Sequence, residues 1–78
     1  PVVCSGNPLL YCICKQGENS CAAAYFNCSD EEIINAQIEL SFTPKKIRFI
    51  NCDGFESDGG VTVSRILPYK MAAIEFVV

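Results

Sequence analysis

The residues with the most chemistry to offer are six cysteines, Cys4, Cys12, Cys14, Cys21, Cys28 and Cys52, in a chain of 78 residues. Thiols at this density can pair as disulfides, ligate a soft metal or exchange electrons. A redox pair is the weakest of these readings, because no Cys-x-x-Cys spacing occurs. Zinc would require a reducing compartment, and the chain has no histidine and no pair of two-residue knuckles around its Cys12-x-Cys14. The even count lets every thiol pair, so disulfides are expected at all six positions. Six cysteines allow 15 connectivities, and spacing alone leaves them open.

Other reactive constellations are sparse. Without histidine there is no Ser-His or Cys-His nucleophile. Asp30, Glu31 and Glu32 sit where the first turn of a helix favours negative charge, which accounts for them without catalysis. Gly59-Gly60 is a turn signal and lacks every other part of a phosphate loop. No catalytic residue, cofactor site or metal site is therefore expected, and the chain reads as a non-enzyme. Asn27-Cys28-Ser29 matches the N-glycosylation pattern, but a bridged, buried Cys28 would crowd a glycan, so modification is not expected. Lys45, Lys46 and Arg48 form a basic cluster at a turn. With Phe55 in the following loop they are the candidate partner contacts, against the plainer reading of a solvated turn.

These groups must be positioned by a small number of elements. Residues 9–15 are rich in aromatic and β-branched types after an Asn7-Pro8 turn signal, and they predict a strand with Leu10, Cys12 and Cys14 on one face. Residues 21–28 carry three alanines, and Cys21, Ala24, Tyr25 and Cys28 recur at helical spacing. Ser29-Asp30-Glu31-Glu32 fits a capping box, which predicts a kink near Cys28 and a second short helix to about Asn35. Residues 36–42 alternate apolar and polar without a miss, and with Ile47–Cys52 they predict a hairpin across Thr43-Pro44-Lys45-Lys46. Residues 61–66 and 72–77 predict two further strands, with a helix over 58–67 as the alternative for the first. The expected fold is α+β: a small disulfide-stapled α/β sandwich, an antiparallel sheet of about four strands with one or two helices on one face. In that frame Cys12 and Cys14 on the strand would staple to Cys21 and Cys28 on the helix, leaving Cys4 with Cys52. The helix pair is about 10 Å apart, too far to bond each other.

Size sets the need for such staples. A chain of 78 residues is a single domain, and its core alone supplies only about 3–5 kcal/mol. A start at Pro1 is what a processed, secreted chain would show. No apolar run reaches the ~18 residues that span a bilayer. A net charge of −3 disfavours nucleic acid as partner. Half the residues are apolar, which calls for a dense core or a sticky surface.

The run from Cys4 to Cys14, followed by Cys21 and Cys28, resembles the N-terminal half of the KP6-type killer toxins and the KP6-like fungal effectors. That resemblance implies a secreted α/β protein with two helices on a four-stranded antiparallel sheet. It also implies an extracellular fungal protein that acts on another cell. It carries over no functional residue. The expected function is a secreted interaction protein, effector or toxin, with a host or competitor-cell target and a monomeric or weakly dimeric state. A small protease inhibitor and a membrane-active toxin are the alternatives; membrane contact is possible but nothing in the sequence points to it.

Overall fold

The computed structural model describes residues 3–5 and 7–78, and only the backbone path of 3–5. Eight strands run in chain order: β1 (Val3–Ser5), β2 (Leu10–Gln16), β3 (Ser20–Asn27), β4 (Ile33–Leu40), β5 (Lys46–Phe49), β6 (Gly54–Ser57), β7 (Gly60–Ile66) and β8 (Met71–Val77). They form two antiparallel four-stranded sheets, ordered β1-β4-β7-β6 and β2-β3-β8-β5. Only β2–β3 and β6–β7 are hairpins; the other connections cross from one sheet to the other.

The α+β expectation is corrected: no helix occurs among the described residues. The segment from Cys21 to Asn27 is a strand, and its burial alternates with Cys21, Ala23, Tyr25 and Asn27 inside. Alanine gains at most about 0.7 kcal/mol per residue by being helical. Burying a large side chain such as Tyr25 gains about 1.5–3 kcal/mol, and only the strand buries this set together. The second helix to Asn35 is also absent. Ser29 caps no helix; its hydroxyl donates to Asn27 Oδ1 at 2.7 Å and its amide does so at 2.9 Å, closing a turn between β3 and β4. The span 58–67 holds no helix; it contains strand β7 (Gly60–Ile66), as the alternation of Val61–Ile66 indicates. The expected hairpin of 36–42 with 47–52 does not form either. β4 pairs with β7 in the first sheet, and β5 pairs with β8 in the second.

The core lies between the sheets and is supplied by their four central strands. Tyr25 of β3 and Ile74 and Phe76 of β8 face Ile38 of β4 and Val61 and Val63 of β7, all essentially without exposure. Phe42, on the crossing from β4 to β5, meets Phe76 edge-on with ring centroids 6.0 Å apart. Two positions show why the chain takes this path. Asn35 adopts φ 51° within β4, so Ile33 and Ala36, three apart, both reach the core opposite Ile66 and Val63. At Gly60 a Cβ would overlap the Ile38 carbonyl oxygen, so only glycine lets β7 begin so close to β4.

Candidate functional site

The cysteines are placed by strand parity. β2 and β3 pair with Cys12 opposite Tyr25, Cys14 opposite Ala23 and Gln16 opposite Cys21. Cys12, Cys14 and Cys21 therefore share the inward face of the second sheet, and Cys14 and Cys21 are diagonal neighbours whose side chains interact. Diagonal pairs on a sheet are about 7–8 Å apart, so a bond between them needs the strands to close by about 1 Å. Burial raises the Cys21 thiol pKa, and the Cys14 thiol beside it adds to the rise. Cys28 has the opposite parity and lies exposed, its Sγ 3.6 Å from the Phe26 carbonyl. A staple joining both Cys12 and Cys14 to both Cys21 and Cys28 is thus not what the fold assembles, because Cys28 is on the other side of the sheet. Cys52 follows β5, its Sγ 3.7 Å from the Ala73 carbonyl, with its thiol pKa raised by burial. None of the five described cysteines is joined in a disulfide. The Cys4 side chain, and with it a Cys4–Cys52 bridge, lies outside the described residues. No group of three histidine, cysteine or acidic side chains among the described residues is placed to hold a metal ion.

Tyr25 stands among these thiols. Its hydroxyl is buried and makes no hydrogen bond of good geometry. Burial pushes its pKa upward, and the Cys12, Cys14 and Cys21 side chains push it the same way.

Asn27 of the glycosylation pattern is wholly buried. Its Nδ2 donates to the carbonyls of Glu31 at 2.7 Å, Ile66 at 3.1 Å and Leu67 at 3.2 Å. A glycan at this nitrogen is sterically excluded in the folded chain. Asn27 instead ties the end of β3 to the turn before β4 and to the turn between β7 and β8. Of the three acids whose spacing predicts a helix start, Glu32 instead pairs with Arg65 at 2.7 Å.

The four candidate contacts are separated. Lys46 and Arg48 project from β5 on the outward face of the second sheet, Arg48 beside Glu75 at 3.2 Å. Lys45 lies just before them in the turn. Phe55 is on β6 in the other sheet, opposite Thr62. Phe55 and the basic cluster therefore do not form one surface.

The feature the sequence did not reveal is the outward face of the second sheet. Tyr11 and Ile13 from β2, Ile50 beyond β5 and Met71 from β8 are 51–61% exposed. Between them lie Ala22 and Ala24 of β3 and Ala73 of β8, on the outward side by parity. The three alanines floor a shallow depression of about 210 Å³ between Ile13 and Ile50. The row Lys15, Ala22, Glu75, Arg48 crosses one end of it, and the row Tyr11, Phe26, Met71 crosses the other. The first sheet's outward face is more polar, with Gln37, Glu39 and Thr62 around an isolated Phe55 and Ile34. No alternation marks this face in the sequence: Ala22–Phe26 are apolar without interruption, and the helical propensity of alanine points the other way.

No family model, curated protein or solved structure matches the chain.

Proposed function

We propose that the chain is a secreted, non-enzymatic interaction protein that acts on another cell by presenting the outward face of β2-β3-β8-β5. The observation that carries this reading is the concentration of half-exposed apolar side chains, Tyr11, Ile13, Ile50 and Met71, on one solvent face. Monomeric proteins seldom leave such a contiguous patch to water, and patches of this kind mark sites of association. The same reading has Cys14 and Cys21 bonded in an oxidising compartment, pinning β2, the edge strand that carries Tyr11 and Ile13. Closing that short loop would contribute about 2–3 kcal/mol.

The experiment is saturable binding of the fluorescently labelled chain to intact fungal and plant cells. The reading predicts surface binding to at least one cell type that unlabelled chain displaces. Binding to none, or uptake that unlabelled chain does not compete, would contradict it.

A further inference from the structure

The outward face has a shape and a charge order that narrow what can sit on it. Its walls are the outward side chains of β2 and of β5, which flank β3 and β8 in the sheet. Three strand spacings separate those walls by about 14 Å. That is the separation of the backbones that carry the walls, and it is comparable with the 10–12 Å diameter of a helix with its side chains. The floor is alanine, which lets a backbone approach closely. From the row of Phe26 to the row of Ala22 the floor runs four residues, about 13 Å, the length of about nine helical residues.

Charge is polarised along the same axis. Lys15, Lys46 and Arg48 stand at one end, with Glu75 beside Arg48 and Glu18 in the adjoining β2–β3 turn. Charge argues against an anionic bilayer. The apolar end of the face lies at the end of the molecule where Asp30, Glu31 and Glu32 join β3 to β4, and these carboxylates would repel acidic headgroups.

We infer that this face seats an amphipathic helix of a protein partner, its narrow apolar stripe over Ala22, Ala24 and Ala73 and its carboxylates over Lys15, Lys46 and Arg48. The inference rests on the reading of the chain as an interaction protein and names the partner's chemistry. Helices laid in apolar grooves are a recurrent mode of recognition, with the groove fixing the stripe and flanking charges fixing the direction.

The test uses a side-chain-cross-linked synthetic helix with leucines on one stripe and two glutamates in its first turn, and a counterpart with two lysines there. Binding is read by fluorescence anisotropy at low salt. The glutamate helix should bind the wild-type chain at least about ten-fold more tightly than the lysine helix. Ala24→Lys, which lays a long side chain across the floor, should abolish binding of both. Lys15→Glu with Lys46→Glu should invert the preference, a result that misfolding cannot produce and that decides the matter if the Ala24 variant fails to fold. Equal binding of the two helices, or binding of neither, overturns the inference. So does a wild-type dimer in sedimentation that Lys15→Glu with Lys46→Glu leaves intact. Binding to anionic vesicles in preference to the glutamate helix overturns it too. If the helices fail while the chain still binds cells through this face, the partner's chemistry is wrong and the interaction reading stands.

Discussion

Replacing Asn27 with alanine removes the joint between three segments distant in sequence. Nδ2 donates to the carbonyls of Glu31, Ile66 and Leu67, and Oδ1 accepts from the amide and hydroxyl of Ser29. The amide group has two protons, so its three contacts share two donors. Two donated and two accepted bonds at about 1 kcal/mol each give a loss of about 4 kcal/mol, with the partners' desolvation offset where water enters the truncated site. A chain of this size has a total stability of about 4–12 kcal/mol. The variant should therefore lose a third or more of its stability, and its Tm should fall by about 15–30 °C. Urea denaturation followed by circular dichroism measures this directly. Asn27→Asp separates hydrogen bonding from packing. Facing three carbonyls, a buried carboxyl has its folded pKa raised above the unfolded value near 3.9. The variant then binds more protons folded than unfolded, and its stability falls as pH rises from about 4 towards the folded pKa. A loss below about 1 kcal/mol for Asn27→Ala, or an Asn27→Asp variant indifferent to pH, would refute this account of the joint.

Three further outcomes follow from individual sites. Tyr25→Phe removes a buried hydroxyl without a good partner and should leave stability unchanged or raise it by about 1 kcal/mol in urea denaturation. The raised pKa of Tyr25 also means that the wild-type chain loses stability as pH climbs above the unfolded tyrosine value near 10; that part of the alkaline loss should disappear in Tyr25→Phe. Tyr69 holds φ 55° after Pro68 in the turn closed by the Lys70 amide on the Leu67 carbonyl, at 3.1 Å. Tyr69→Gly relieves that conformation and should raise Tm, with a gain of about 1 kcal/mol. Peptide mapping of the chain purified under oxidising conditions should recover Cys14 joined to Cys21 and should not recover a Cys14–Cys28 bridge, because Cys28 faces the other way.

Much of the strand content was legible in the sequence. Aromatic and β-branched composition located β2, and alternation located most of β4 and β7, because these two have one face in the core and one turned away from it; the apolar run after the Pro68 turn located β8. The assignment of strands to sheets was not legible. Thr43-Pro44 reads as a tight turn, yet it carries the chain from β4 across to β5 in the other sheet, and nothing local distinguishes the two paths. The segment at Ala22–Ala24 failed for a different reason. Small residues are good helix formers, and here they are small because they floor a solvent face. The glycosylation pattern drew attention to Asn27, but its role depends on carbonyls about 40 residues away, which no local spacing encodes. The basic cluster was found at Lys46 and Arg48, whereas Phe55 belongs to the opposite sheet because the chain crosses over between them.

The central claim is that the outward face of β2-β3-β8-β5 carries the interaction. The most direct measurement compares cell-surface binding by Ile13→Asp with binding by Ile34→Asp and Phe55→Asp, which remove equally exposed apolar side chains from outside that face. The account predicts that Ile13→Asp loses at least about ten-fold in affinity while the other two bind as wild type. Retained binding by Ile13→Asp, with loss in Phe55→Asp or Ile34→Asp, would place the interaction on the other sheet and contradict the account.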